Sequence, residues 1–246
     1  MARKIKSIDN DNVIKVVGGR TGSETPTQAE CDFYGGTFIG KNCVLKLPPA
    51  RRLFAENNHN EDLGLNNTFR NSYNTRIVGN SNRSKESYQY IQGQNADAIR
   101  YKENIFACTD TLGRAQVSTL IFQGRTTDNT ATEIFIGGES GKRLIIDEDK
   151  ECSLFLEIDT ISKGLSTGIT NRNSAQKDCA TFIVNGGALS QNGSTTNIYG
   201  EDARTVTLTA TSATPDYIKI QVTGASAQTY DWVCVVRITE LKTDAI

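Results

Sequence analysis

The sequence lacks an excess of charge of either sign. Among 246 residues, 27 basic and 28 acidic side chains leave a formal net charge of -1, so the broad positive surface of a nucleic-acid or lipid binder is not expected. No apolar run approaches the roughly 18–20 residues of a membrane span, and the basic amino end is followed by no apolar stretch. We therefore expect a soluble protein that folds in a reducing cytosol and binds neither nucleic acid nor membrane.

Motifs for catalysis, metals and cofactors are also scarce. The six cysteines, at positions 31, 43, 108, 152, 179 and 234, form no close pair of the kind found in zinc sites. We interpret them as small buried thiols, and leave open a Cys31–Cys43 pair in an oxidising setting. The single histidine, His59, lies among loop-forming asparagines, and Gly138–Arg143 lacks two essential positions of a phosphate loop. No catalytic residue, metal or cofactor is predicted.

Alternation of apolar and polar residues is the dominant pattern. One row consists of Tyr230, Trp232, Cys234, Val236 and Ile238, a second of Cys152, Leu154, Leu156 and Ile158, and a third of Ile218, Ile220 and Val222. A period of two predicts half-buried strands. Further strands are predicted at Ala115–Phe122, Thr132–Ile136, Arg143–Ile146, Ala180–Val184 and Thr205–Thr209.

These strands predict a jelly-roll-like β-sandwich in the carboxy-terminal half, because short strands are separated there by Gly, Asn, Asp and Ser clusters. The two longest apolar rows should oppose each other across the roughly 10 Å between sheets. We therefore predict a sandwich core in which Leu154, Leu156 and Ile158 face Trp232.

A repeat precedes this domain. Leu63, Ile77, Ile91 and Ile105 are 14 residues apart, and Gly79, Gly93 and Ala107 each follow an isoleucine by two positions. Such a period predicts stacked β-coils, each of which hides one apolar side chain. The alternative is a loop in which the spacing is accidental.

One apolar side chain per coil contributes little stabilisation. A buried isoleucine contributes roughly 1.5–3 kcal/mol, whereas ordering the backbone costs about 1–2 kcal/mol per residue. We therefore predict a homotrimer in which Leu63, Ile77, Ile91 and Ile105 face the threefold axis.

Residues 113–240 resemble the carboxy-terminal β-sandwich of tailed-bacteriophage virion fibre proteins. The resemblance is carried by Gln123–Ile136, Ile220–Gly224 and Tyr230–Glu240, and the preceding repeat is similar to the shaft segments of such fibres. The family implies a non-enzymatic virion component, often trimeric. Two departures leave the position open between tail, tail tip and capsid decoration: residues 1–55 match no known adaptor, and the chain is short for a complete fibre.

The resulting hypothesis is an all-β chain with three parts. Residues 1–55 form a small β-rich cap, with strands at Val13–Val17 and Cys43–Leu47 and a short helix at Arg51–Glu56, that attaches to other virion proteins. Residues 56–112 form a β-roll or β-helical shaft, and residues 113–246 the head. The alternatives are a receptor-binding tip for host surface polysaccharide, with Tyr199 and Tyr217 as ligand-loop candidates, and, last, a depolymerase with two carboxylates in a groove.

Overall fold

The computed structural model describes residues 5–8, 14–17, 23–24, 26–27, 30–31, 36–39, 42–45, 52–54, 60–70, 72–147, 151–165, 173–200 and 205–243. His59 lies outside these residues. The chain divides into two compact units, Met1–Ala50 and Arg51–Ile246. Within the described residues, no helix has the length and apolar character needed to cross a membrane.

The first unit consists of short antiparallel strands: β1 (Ile5–Ile8), β2 (Ile14–Val17), β3 (Ser23–Glu24), β4 (Gly36–Ile39) and β5 (Asn42–Leu45). Strands β1, β2 and β3 form one sheet, and β4 pairs with β5. Cys31 and Cys43 are buried and joined by a disulfide. Our interpretation of these two cysteines as thiols is therefore wrong, because the fold places two positions 12 residues apart side by side. Of the others, Cys152 and Cys234 are buried free thiols as predicted, whereas Cys179 is half-buried and Cys108 is exposed, because its side chain points outward from the solenoid wall.

The second unit begins with a β-solenoid of about three turns. Its strands are β6 (Arg52–Phe54), β7 (Asn60–Leu63), β8 (Thr68–Phe69), β9 (Arg76–Asn80), β10 (Arg83–Ser84), β11 (Tyr90–Gln94), β12 (Asp97–Ala98) and β13 (Asn104–Cys108). One wall is the parallel series β7, β9, β11 and β13, and the other is β8, β10 and β12. The strand β6 pairs antiparallel with β7, so the helix predicted at Arg51–Glu56 is wrong over Arg52–Phe54.

The register of the solenoid follows the 14-residue period. Ile91 pairs with Ile77 on one side and with Ile105 on the other. Leu63 does not continue the row, because the first coil is one residue longer and places Asp62 opposite Ile77. The small residues after the isoleucines are required by close approach: a Cβ on Gly79 would lie 1.8 Å from the carbonyl oxygen of Gly93.

The corners of the coils explain why this segment is rich in asparagine. Two columns of residues adopt the left-handed conformation, with φ between 52° and 60°. Asparagine tolerates this conformation better than most residues because its short side chain bonds locally to the backbone. One column is Asn66, Ser81 and Asn95, and the other is Asn74, Tyr88 and Lys102.

The interior of the solenoid is partly polar. The side-chain oxygen of Asn82 accepts a hydrogen bond from the backbone N–H of Ala96 at 2.9 Å. The backbone N–H of Asn82 in turn donates to the side-chain oxygen of Asn67 at 2.9 Å. A second ladder of buried side chains consists of Asn60, Thr75, Gln89 and Glu103. Because each side chain satisfies backbone groups of the neighbouring coil, polar residues replace part of the missing apolar core.

The isoleucine row lies inside its own chain. Ile77, Ile91 and Ile105 are 0%, 0% and 1% exposed and form a core with Ala96, Ala98 and Ala107 of the same solenoid. The placement of these isoleucines on a threefold axis is therefore wrong, because each coil closes around them. Leu63 is half-buried and lies outside that core. The homotrimer itself stays a prediction.

The remaining strands form the carboxy-terminal part: β14 (Ala115–Thr126), β15 (Thr132–Glu133), β16 (Phe135–Ile136), β17 (Leu144–Ile145), β18 (Glu151–Gly164), β19 (Asn173–Asn185), β20 (Ala188–Gln191), β21 (Thr196–Gly200), β22 (Thr205–Thr211), β23 (Tyr217–Thr223) and β24 (Tyr230–Thr243). A large sheet has the order β20-β19-β18-β24-β14-β13, and β13 continues into the solenoid wall. A small sheet contains β15, β17, β22 and β23.

One apolar core joins the two sheets. Leu154, Leu156, Ile158 and Trp232 lie in it together with Ile218, Ile220 and Val222 of the small sheet. The predicted opposition of the two long rows is wrong, because β18 and β24 are neighbours in the large sheet, with Leu156 opposite Ile238 in the ladder. Their partners across the core come from β22 and β23 instead.

Candidate functional site

Three tyrosine side chains, two of them exposed, stand in a row at one corner of the solenoid. Tyr73 and Tyr88 are 45% and 41% exposed, and their ring centres lie 5.0 Å apart, edge to face. Tyr88 makes a second edge-to-face contact, at 5.6 Å, with Tyr101, which is only 7% exposed and belongs to the carboxy-terminal core. Lys102 follows on the next coil, with its ammonium group 5.7 Å from the centre of the Tyr88 ring. We call Tyr73, Tyr88, Tyr101 and Lys102 the tyrosine edge.

The carboxy-terminal part contributes two charged groups to this edge. Glu139 accepts hydrogen bonds from the Tyr101 hydroxyl at 2.8 Å and from Lys102 Nζ at 2.7 Å. Lys142 Nζ lies 4.5 Å from the centre of the Tyr101 ring. The turn between β16 and β17 therefore fixes one side of the tyrosine edge.

The protonation states at this edge follow from these contacts. Hydrogen bonds from Lys102 and Tyr101 hold the pKa of Glu139 below its ordinary value. Burial raises the pKa of Tyr101, and the Glu139 carboxylate raises it further. The hydrogen-bonded Tyr88 raises the pKa of Tyr73. Tyr73 and Tyr101 are thus neutral donors and Glu139 is a charged acceptor at neutral pH.

An open cleft of about 450 Å³ adjoins the tyrosine edge. The link between them is Lys142, which lies 3.6 Å from Glu86 in the cleft wall. The cleft combines apolar, charged and hydroxyl-bearing side chains, as binding sites for small ligands do. Its lining consists of Lys85, Glu86, Ile99, Ile145, Ile146, Asp147, Thr214 and Pro215.

A buried ion network holds this region together. Arg100, the residue before Tyr101, is 0% exposed and donates to Glu103 at 2.8 Å and to Glu240 of β24 at 3.0 Å. Its Nε also donates to the carbonyl of Ile145 in the cleft wall at 2.8 Å. Arg100 thereby ties the last coil of the solenoid, and with it the tyrosine edge, to the carboxy-terminal sheet.

The arrangement suits a hydroxyl-rich ligand with apolar faces. The exposed rings of Tyr73 and Tyr88 offer flat apolar surface with a polar rim, and the buried Tyr101 supports them. Carboxylates and ammonium groups beside them supply acceptors and donors in fixed positions. Among the described residues, no group of histidine, cysteine and carboxylate side chains is arranged to hold a metal ion.

The two ligand-loop candidates from the sequence lie elsewhere. Tyr217 is half-buried in β23, with the Arg143 guanidinium 4.5 Å from its ring centre. Tyr199 is part of β21, and its side chain lies outside what the structure describes. The residues of the tyrosine edge went unnoticed because they are spread along the repeat. The available signal was the near-14-residue spacing of Tyr73, Tyr88 and Lys102.

Comparisons with known proteins give distant similarity only. No family model and no curated protein matches the chain. A tailspike protein of Acinetobacter baumannii phage AM24 aligns with 70% of this chain at 9% identity, with a TM-score of 0.28. A second tailspike, from Acinetobacter baumannii bacteriophage Fri1 and described as a capsular polysaccharide depolymerase, aligns with 70% at 10% identity and a TM-score of 0.27. The aligned part covers 34% and 35% of those chains, so this chain spans about a third of their length.

Proposed function

We propose that the chain is a virion component of a tailed bacteriophage that binds a host surface polysaccharide at the tyrosine edge without cleaving it. The observation that carries the binding role is the packing of Tyr73, Tyr88 and Tyr101 against each other beside an open cleft. The resemblance of residues 113–240 to virion fibre proteins supports the virion role.

The geometry of the edge favours a chain of sugars over a single small molecule. Tyr73, Tyr88 and Lys102 occupy successive coils, which are about 4.8 Å apart. That step is comparable to the length of one sugar ring in an extended polysaccharide. A saccharide lying along the edge would place successive rings beside successive coils and reach the cleft at Glu86.

The balance of charges favours a ligand that is polar but carries little charge. Lys102 pairs with Glu139, Lys142 with Glu86, and Lys85 lies 3.4 Å from Asp97. Since each ammonium group already has a carboxylate partner, no free cluster of positive charge is present among these groups. We therefore expect neutral sugars to bind at least as well as acidic ones.

The assembly belongs to the same proposal. Residues 1–55 attach the chain to other virion proteins, three copies associate, and the carboxy-terminal part points outward. The particle could carry it on the tail, the tail tip or the capsid. The proposed attachment through residues 1–55 is tested by a truncation starting at Asn57, which should fold but fail to incorporate into particles.

A screen of purified chain against immobilised capsular polysaccharides and lipopolysaccharides tests the binding role. We expect at least one ligand, and a loss of affinity of about tenfold or more in Tyr88→Ser, since about 1.4 kcal/mol of stacking corresponds to that factor. The matched control is Tyr90→Ser, because Tyr90 is similarly exposed but lies on β11 beside Arg76. Equal losses in both variants would contradict the proposed site.

A second candidate function is hydrolysis of the polysaccharide, because two carboxylates, Glu86 and Asp147, line the same cleft. Both are already engaged by cations, with Lys142 3.6 Å from Glu86 and Lys242 3.5 Å from Asp147. The test measures reducing ends released from each bound polysaccharide. Release that is abolished by Glu86→Gln or Asp147→Asn would replace the binding role with an enzymatic one.

A further inference from the structure

Large apolar side chains cluster on one face of the large sheet. Seven of them are 38–62% exposed, although strands of a sheet usually turn such residues inward. Those on β14, β18 and β24 alternate with buried core residues of the same strands and point away from the small sheet, and Phe106 on β13 alternates with the buried Ile105 and Ala107 of the solenoid core. We call this the outer sheet face, and its apolar members are Phe106, Val117, Ile121, Phe155, Ile161, Val233 and Leu241.

Strand pairing brings several of these side chains next to each other. Phe106 of β13 lies opposite Val117 of β14, and Ile161 of β18 lies opposite Val233 of β24, which is 39% exposed. Ile121 lies opposite Val235. Phe155 and Leu241 lie opposite Thr239 and Ser153, so polar side chains are interspersed among the apolar pairs. Exposed apolar side chains that recur on one face of neighbouring strands mark interaction sites.

We infer that the outer sheet face is the contact surface between copies of this chain. The charges on the face support a second copy as the partner. Lys177 lies 3.4 Å from Glu157 and 3.7 Å from Asp159, and Arg237 lies 3.6 Å from Glu157. Two cations and two carboxylates cancel within the face, so an identical surface meets no excess of like charge.

The size of the outer sheet face is also sufficient for a contact between copies. The five strands from β13 to β19 enclose four spacings of about 4.8 Å, or about 19 Å, and the eight residue steps from Val233 to Leu241 extend about 27 Å. The resulting area of about 500 Å² on each of two copies gives a total of about 1,000 Å², the lower limit for a specific interface. This contact rests on the proposed association of copies, but it is independent of the tyrosine edge, so it can hold or fail whether or not the chain binds polysaccharide.

Sedimentation velocity of the full chain at micromolar concentration tests the inference. We expect a mass that is a multiple of 26.9 kDa for the wild type and 26.9 kDa for the double variant Phe155→Glu, Ile161→Glu. The control is Leu65→Glu, which places the same charge on a 51% exposed leucine of the solenoid and should leave the assembly intact.

Three results would overturn the inference: a monomeric wild type, a double variant that assembles as the wild type does, or a control that dissociates equally. A monomer would mean that another part of the chain or another protein covers the face. If the double variant does not fold, hydroxyl-radical footprinting of the wild type replaces it. Protection of Phe106 and Phe155 should then rise with protein concentration, and constant reactivity would exclude the contact.

Discussion

Replacing Arg100 with methionine should destabilise the protein more than any other single change in the ion network. Arg100 makes three charge-assisted hydrogen bonds in a fully buried position, to Glu103, Glu240 and the Ile145 carbonyl. Methionine fills similar volume but leaves two buried carboxylates without their shared cation. Removal of one partner from a buried ion pair costs about 3–5 kcal/mol, and we expect a loss of that size at neutral pH.

The loss of stability in Arg100→Met should also depend on pH. Burial alone raises the pKa of Glu240, but Arg100 and Lys242 outweigh it and hold this pKa below its ordinary value of 4.5. In the wild type, the Glu240 carboxylate therefore stabilises the fold above pH 4.5, and this contribution disappears as the pH falls through the lowered pKa. Without Arg100, we expect burial to outweigh Lys242 and to raise the pKa of Glu240 above its ordinary value, so the variant should lose stability as the pH rises through that raised value.

Urea unfolding, followed by the fluorescence of the single tryptophan, measures both effects. The difference between wild type and Arg100→Met should be larger at pH 7.5 than at pH 5. The double variant Arg100→Met, Glu240→Gln should recover part of the lost stability because it removes one unpaired charge. A loss below about 1 kcal/mol at neutral pH, or one that does not change with pH, would refute this reasoning.

Other substitutions test the solenoid and the carboxy-terminal core. Gly93→Ala should abolish or strongly impair folding, because its Cβ would lie 1.8 Å from the carbonyl oxygen of Ala107; circular dichroism is the measurement. Ile91→Ala should cost about 2–5 kcal/mol in urea unfolding even in a monomer, since the cavity opens inside one chain. Trp232→Ala should lower the free energy of unfolding by about 3–5 kcal/mol and also remove the 2.9 Å hydrogen bond from the indole to Thr126. An unchanged free energy of unfolding in this variant would show that the indole does not fill the core.

Alternation and period were enough to predict much of the fold. The rows around Leu156 and Trp232 are buried strands, and the isoleucine spacing is the register of the solenoid. Periodicity shows which face of a strand points inward, but it does not show which other strand lies next to it in the sheet. The prediction that the two rows oppose each other therefore failed, because the partner of β18 is set by pairing across some 80 residues.

The error in the solenoid has a different cause. We assumed that only apolar side chains could fill a coil, and so required other chains to bury Ile91. Buried Asn82 and Gln89 instead bond to the backbone of the neighbouring coil, a role that composition does not reveal. The tyrosine edge was missed for a related reason: Tyr88 and Glu139 are 51 positions apart and meet only through the packing around Lys102.

The most direct test of the proposed function is to locate the bound saccharide by NMR. The chain has eight tyrosines, so tyrosine-selective labelling gives few signals to assign. On titration with an oligosaccharide from the best polysaccharide of the screen, we predict shifts at Tyr73, Tyr88 and Tyr101 and none at Tyr90 or Tyr217. Binding that shifts Tyr217 and leaves the tyrosine edge unchanged would contradict the account.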